Sequence, residues 1–151
     1  MIVLALLLAA ADGRVALGAW QRWGAFRDPL AHCFAVSLPV STGGRGRGFA
    51  SVVAHFGRTR RAALYVRLSA ARNLATPLVL AIGERRFTLS GSETAGWAPD
   101  AGADRAIVGA MRGARSMSVA AVSTRGRPFA DTYALPGAAT AIDAAALGCS
   151  R

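Results

Sequence analysis

The side chains that can do acid–base or nucleophilic chemistry are few in this chain of 151 residues. Two histidines, His32 and His55, accompany eight carboxylates that are scattered along the sequence. Joining a histidine to Asp131 and to Ser123 or Ser116 supplies the residue types of a hydrolase triad, but no G-x-S-x-G elbow orients a serine. The carboxylates single out no acid–base pair. We therefore expect no enzymatic activity, and we expect Asp131 to hydrogen-bond backbone or an arginine.

The two cysteines, Cys33 and Cys149, stand far apart and lack the spacing of a metal site. His32, beside Cys33, is more typical of a strand edge than of a metal ligand, so neither a metal nor a cofactor is expected. Cys149 ends a run with the spacing of one helical stripe, formed by Leu135, Ala138, Ile142 and Ala145. We favour a Cys33–Cys149 disulfide, which the chain-entropy model values at roughly 4 to 5 kcal/mol. The alternative is a pair of reduced thiols, at least one of them buried.

The chain has 18 arginines and no lysine, and its formal net charge is +10. A GC-rich genome accounts for arginine over lysine, but the low acidic count leaves a positive field that attracts polyanions or anionic membranes. The candidate polyanion-binding residues lie in STGGRGRGFA and on the next turn, and they are Arg45, Arg47, Arg58, Arg60 and Arg61. Solvated loops are the interpretation we favour. If these arginines bind, an anionic envelope component is a better partner than nucleic acid.

The apolar run IVLALLLAAA, residues 2–11, has the length of a signal-peptide h-region. It is shorter than the about 20 residues that span a bilayer. Small residues at 9–11 and at 16–18 offer two cleavage sites, although no Arg or Lys precedes the run. We predict a signal peptide over residues 1–19 and one β-rich domain over residues 20–151, periplasmic or secreted. The alternatives are a first core element of the mature fold and an uncleaved anchor.

Short apolar and aromatic stretches separated by glycine and proline turns predict eight strands. They cover residues 20–26, 33–38, 49–56, 63–68, 78–82, 87–89, 117–122 and 129–135. Alternation is clear around Tyr65, where Leu64 and Val66 share one face and Tyr65 takes the other. These features predict a mainly β fold, either a β-sandwich or a partly closed antiparallel barrel.

Two segments break the strand rhythm and predict helices. After Asp100, a capping residue, Ile107, Val108 and Met111 recur at helical spacing, which indicates a short surface helix. The alanine-rich stretch before Cys149 predicts a C-terminal helix that faces the core along its apolar stripe.

Several stretches together resemble the invasion-associated locus B proteins of alphaproteobacteria. They include Trp23-x-x-Phe26 leading to Cys33, the hairpin into Arg86-Phe87, AIVGAMRGARSMSV, and FADTYALPGAATAIDAA before Cys149. The resemblance runs from about Trp20 to the end of the chain. It implies a small, exported, β-rich protein named for a role in host-cell invasion, with no agreed enzymatic activity.

The sequence therefore predicts an exported, non-enzymatic envelope or host-interaction protein. A polyanion-binding module that uses the arginine-rich loops is the alternative, and a hydrolase that uses His55 is a weaker third. The partner, a protein or an anionic envelope component, and the oligomeric state stay open at this point. No transmembrane span is expected.

Overall fold

The computed structural model describes residues 13–55 and 61–150, which form ten strands and two helices. The strands are β1 (Val15–Trp20), β2 (Trp23–Arg27), β3 (Cys33–Ser37), β4 (Phe49–His55), β5 (Arg61–Arg67), β6 (Leu78–Ile82), β7 (Arg85–Gly91), β8 (Ala95–Trp97), β9 (Ser116–Val122) and β10 (Pro128–Ala134). The helices are α1 (Ala101–Gly113) and α2 (Ala138–Gly148). The mainly β prediction with an internal and a C-terminal helix is confirmed.

All strand pairs are antiparallel, and they build one sheet in the order β1-β2-β3-β4-β5-β8-β7-β6-β9-β10. Strand β7 joins a first half of the sheet, β1-β2-β3-β4-β5-β8, to a second half, β7-β6-β9-β10, because it pairs with β6 over most of its length and with β8 only at Ser90 and Gly91. The halves approach each other where Trp23 of β2 donates its indole N–H to the carbonyl of Ala134, 2.8 Å away. The sheet does not close into a barrel, and its arrangement resembles a sandwich.

A turn at Gln21 and Arg22 divides the stretch 20–26 that the pattern predicts as one strand. Gln21 takes a φ of 55°, the chain reverses, and Trp20 pairs with Trp23. No glycine, proline or asparagine marks this turn, so the sequence carries no usual signal for it. β1 therefore occupies part of the segment that we predict to be a signal peptide, while residues 1–12 lie outside the described residues.

The core lies between the inner faces of the two halves and the helices. It combines Leu64 and Val66 of β5 with Leu80 of β6 and Val119 of β9, all buried. Helix α1 packs mainly on β5, and its buried residues include Ile107, Val108 and Met111, as predicted. Its N-cap is Asp100, which accepts a hydrogen bond from the N–H of Ala103 at 2.8 Å. The strand faces and the helix cap thus follow the pattern of the sequence.

Helix α2 packs on β1 to β4 and ends at Cys149. The predicted stripe is confirmed, because its members Leu135, Ala138, Ile142 and Ala145 are all buried. The N-cap Gly137 has a φ of 92°, and a Cβ there would collide with the carbonyl of Trp20 in β1. The end of the first strand therefore lies directly against the start of the last helix.

Candidate functional site

Cys33 and Cys149 form a disulfide, as predicted. Cys33 is fully buried at the start of β3, and Cys149 is the half-buried residue that ends α2. Their Cα atoms are 5.9 Å apart, within the range usual for disulfides, although 116 positions separate them in sequence. The bond fixes the C-terminal helix to the inner part of the first half of the sheet.

His32 pairs with a carboxylate in the exposed turn between β2 and β3. Its Nδ1 lies 3.0 Å from Oδ2 of Asp28, and its backbone N–H donates to Oδ1 of the same residue at 2.8 Å. This backbone hydrogen bond, more than the imidazole, lowers the pKa of Asp28 below its ordinary value. The pair closes a surface turn, which agrees with the expectation of a strand-edge histidine.

The side chains that sequence reasoning considered for a triad lie in separate places. Asp131, in β10, is buried and accepts hydrogen bonds from the N–H of Gly43 and from the N–H and hydroxyl of Ser69. Ser123 accepts N–H groups of the turn between β9 and β10, and Ser116 begins β9. The side chain of His55 lies outside the described part of the chain. Asp131 therefore hydrogen-bonds to backbone N–H groups, as predicted, and it connects the loop at Gly43 to the loop at Ser69.

The arginine-rich loop is held by several backbone hydrogen bonds. The N–H of Gly46 donates to the carbonyl of Ser69 at 2.7 Å, and the N–H of Gly44 donates to the Ser69 hydroxyl at 2.8 Å. Together with the Gly43–Asp131 bond, these contacts give the loop one defined path. Arg45 and Arg47 are exposed residues of this loop, so their side chains extend from a backbone that hydrogen bonds hold in place.

Three of the five predicted polyanion-binding arginines are described, and Arg45 and Arg47 among them line different cavities. Arg45 lines a cavity of about 480 Å³, whereas Arg47 lines a different cavity of the same volume with Arg67. Arg61 is exposed at the start of β5, and Arg58 and Arg60 lie outside the described residues. The polyanion-binding site predicted from the sequence stays a prediction.

Sequence reasoning missed the arginines that lie beside Arg45. Arg125 and Arg127, from the turn between β9 and β10, line the same cavity, and no described residue that lines it is acidic. The bridge between Ser41 and Thr132 brings this turn and the arginine-rich loop together. We call Arg45, Arg125 and Arg127 the basic cluster. Eighty positions separate Arg45 from Arg125, so the cluster is apparent only in the folded chain.

Few arginines are neutralised within the described ranges. Arg112 is the only one that forms an ion pair there, with Asp143 on the surface at 2.8 Å. Arg72 is buried and serves the structure, because its guanidinium donates to the carbonyls of Ser92, Thr76 and Gly91 at 2.9, 3.0 and 3.2 Å. The basic cluster thus faces solvent without a carboxylate to offset its charge.

An apolar recess lies on the outer face of the first half of the sheet. Its volume is about 860 Å³, within the usual range for small-molecule sites. Its walls are aromatic and are formed by Phe26, Phe34, Phe49, Tyr65 and Trp97. Its floor is formed by the smaller side chains of Val36, Ser51, Val53 and Ala63. We call this recess the aromatic trough.

Strand register explains why the trough is concave. Phe26 lies opposite Phe34, and their ring centroids are 5.9 Å apart. The rings of Phe49 and Tyr65 are tilted relative to each other, with centroids 5.8 Å apart. Between these two groups of rings, Ser51 lies opposite Tyr65 and Val36, and Val53 lies opposite Ala63. Large side chains thus flank a line of small ones, and this leaves an open channel across the strands.

Arg14, which precedes β1, is the only charged residue among the described residues that line the trough. Trp97 is 42% exposed at its rim. Sequence reasoning placed Tyr65 on the face opposite the core but did not recognise the recess. Its walls come from four strands and from β8, which the sequence pattern did not predict.

Among the described residues, no group of three or more His, Cys, Asp or Glu side chains is arranged to hold a metal ion. None of the helices in the described part of the chain is long and apolar enough to cross a membrane. Comparison with protein-family models, with curated proteins and with solved structures finds no match for this chain.

Proposed function

We propose that this chain is an exported, non-enzymatic protein that acts by binding at the bacterial envelope or at a host surface. The Cys33–Cys149 disulfide is the observation that carries the proposal. Disulfides persist in oxidising compartments such as the periplasm and the extracellular space. The apolar run at residues 2–11 and the resemblance to invasion-associated locus B proteins support the same location.

Export has a direct test in the cells that make the protein. After fractionation, we expect the chain in the periplasm or the medium, with its N-terminus shortened and with the Cys33–Cys149 peptide pair joined under non-reducing mass spectrometry. A Cys149→Ser variant, carried in parallel, identifies the disulfide-linked peptide. Recovery of intact Met1 in the cytoplasm with both thiols free would contradict the proposal.

Structure around β1 favours one of the two cleavage sites. Cleavage after Ala11 retains the whole of β1, whereas cleavage after Gly18 removes the residues of β1 that pair with Ala25, Phe26 and Arg27. We therefore propose that signal peptidase cuts at the first site, and that the mature domain begins before Gly13.

A second candidate function is polyanion binding, and the basic cluster favours it. Arg45, Arg125 and Arg127 line one cavity without a carboxylate among its described lining residues. Arginine forms paired hydrogen bonds with phosphate, sulfate-like or carboxylate oxygens, so such a cluster suits a repeating anion. This candidate keeps Arg45 from the predicted set and adds Arg125 and Arg127.

Heparin, an anionic polymer, tests the second candidate. We expect binding that weakens steeply with salt, and we expect the double variant Arg45→Gln/Arg127→Gln to lower the log–log salt slope by about one for each contact removed. Arg86→Gln, an exposed arginine of β7 that does not line the cavity, is the matched control. Equal slopes in both variants would exclude the basic cluster as the binding site.

A further inference from the structure

We propose that the aromatic trough binds one anionic, single-chain amphiphile, a long-chain fatty acid. Its acyl chain lies across the strands on the trough floor, and its carboxylate lies at Arg14. The occupant is a dissolved monomer rather than a membrane, because the apolar surface is recessed between the rings. Export is not required for this inference.

The apolar lining argues for a hydrocarbon ligand. Aromatic rings and aliphatic side chains form most of the walls and floor, and the described residues of the lining include no carboxylate. A sheet face of this kind is normally covered by another layer, because burying apolar surface is favourable. Both helices contribute to the core on the inner side of the sheet, and no residue of either helix lines the trough.

The length of the trough suits an acyl chain. From Phe26 in β2 to Trp97 in β8 it crosses five adjacent strands. With neighbouring strands about 4.8 Å apart, the outermost rings lie on strands roughly 19 Å apart, and the floor between the rings spans β3 to β5, roughly 10 Å. Acyl chains in one leaflet occupy half of a hydrocarbon core that is about 30 Å thick, or roughly 15 Å. One chain of this length therefore covers the floor and contacts the rings at both ends of the recess.

Charge complementarity selects an anion. Arg14 lies at the β1 side of the trough, beside the position where Ala16 pairs with Phe26. It is exposed, and no ion pair involves it within the described ranges. A guanidinium binds a carboxylate through two parallel hydrogen bonds. A neutral or cationic amphiphile gains the apolar contact but lacks this pairing.

Calorimetric titration of the full purified chain tests the proposal with saturated fatty acids of 8 to about 14 carbons, kept below their aggregation concentrations. We expect each added methylene to tighten binding about four-fold until the trough is filled, which corresponds to about 0.8 kcal/mol per buried CH₂. Dodecanoate should bind at least about five-fold more tightly than dodecanol or the dodecyltrimethylammonium cation, because a charged hydrogen bond is lost.

Two matched pairs of variants locate the binding. Arg14→Gln should remove the preference for dodecanoate over dodecanol, and Arg86→Gln should retain it. Ala63→Phe fills the floor and should weaken dodecanoate binding at least about ten-fold. Ala81→Phe makes the same change at a half-buried site of β6, outside the trough, and should not weaken it. Circular dichroism and an intact disulfide verify the fold of each variant. If Ala63→Phe does not fold, the selectivity of Arg14→Gln, a change at an exposed site, is the test of the proposal.

Several results would overturn the proposal. One is affinity for anionic phospholipid vesicles without affinity for monomeric dodecanoate, which would make the trough a membrane contact. Another is a wild-type chain that is a dimer and does not bind dodecanoate, together with an Ala63→Phe variant that is a monomer. The occupant of the trough would then be a second copy of the chain. The third is a full chain that binds no dodecanoate until residues 2–11 are removed, since the chain's own apolar run would then be the occupant. Binding that is unaffected by both Arg14→Gln and Ala63→Phe would also exclude the trough.

Discussion

Cys33 and Cys149 join the start of strand β3 to the end of the last helix, with Cα atoms 5.9 Å apart. The same relationship places the end of α2 beside β1, because a Cβ at Gly148 would contact both Leu17 and the sulfur of Cys33. The two ends of the described fold are therefore one packed unit. Its stability should depend on the bond between them.

We predict that Cys149→Ser lowers the free energy of unfolding by roughly 2 to 5 kcal/mol, the usual loss when a native disulfide is removed. The double variant Cys33→Ser/Cys149→Ser should lose little more, because the two residues act as one unit. Urea unfolding measures both, and hydrogen exchange should show α2 opening first. An unchanged unfolding free energy for Cys149→Ser would contradict the structural role of the bond.

Gly137→Ala should be strongly destabilising, by roughly 3 kcal/mol or more. Its φ of 92° is strained for alanine, and the added Cβ would collide with the carbonyl of Trp20. Gly126→Ala is a matched control, since Gly126 has a φ of 78° but no atom within 4 Å of the added Cβ. It should cost only about 1 kcal/mol. Thermal melting that ranks the two variants equally would show that the close approach of β1 and α2 is not rigid.

Removing the hydroxyl of Tyr133 should raise stability. This oxygen is buried without a hydrogen-bond partner among the described residues. An unsatisfied buried hydroxyl carries a desolvation cost of about 1 to 3 kcal/mol, part of which Tyr133→Phe recovers. Denaturant unfolding at neutral pH measures the gain. Tyr65→Phe, in the aromatic trough, is the control and should show no comparable increase.

The same tyrosine should make the protein sensitive to alkali. Burial, with a smaller contribution from Asp131, raises the pKa of Tyr133 above its ordinary value. The folded state disfavours the phenolate of Tyr133. The free energy of unfolding is therefore unaffected by this group below about pH 10, and it falls as the pH rises above that value. The chain has no lysine and two tyrosines, so few other groups titrate there. Stability measured from pH 9 to 11.5 should fall in wild type and in Tyr65→Phe, but much less in Tyr133→Phe.

Local patterns predicted much of the fold, because they depend on neighbours in the sequence. Alternation assigned Leu64 and Tyr65 to opposite faces, and helical spacing brought Cys149 to the inner side of α2. The turn at Gln21 was missed, since a residue without the usual turn propensity takes a left-handed conformation there. Short β8 carries too few residues to show a period.

Neither the trough nor the basic cluster follows from local patterns. Phe26 meets Phe34 across a turn, but Tyr65 and Trp97 meet through strand pairing between residues 32 positions apart. Arg45 joins Arg125 and Arg127 only because the sheet brings β10 to the loop after β3. Both sites depend on register over long separations, which a single sequence does not specify.

Asp131→Asn should loosen the loop that carries Arg45. The carboxylate accepts the N–H groups of Gly43 and Ser69 at 3.0 and 2.8 Å, and an amide in its place turns one acceptor into a donor. We expect a loss of roughly 2 to 4 kcal/mol. Asp143→Asn removes a carboxylate from a surface ion pair with Arg112 and should cost less than about 1 kcal/mol. Faster hydrogen exchange at residues 43–46 in the first variant alone would confirm the anchoring role.

The N-terminus of the exported protein should lie at Asp12 or close to it, because β1 belongs to the folded domain. Trp20 pairs with Trp23 and lies against Gly137, while Leu17 lies beside Gly148 at the far end of α2. Cleavage after Gly18 would remove Leu17 and expose the backbone hydrogen-bonding groups of β2 at a new sheet edge. Intact-mass measurement of the exported protein gives the cleavage position directly. A protein that begins at Ala19 and still unfolds in one cooperative transition, with the stability of the longer chain, would show that β1 is dispensable.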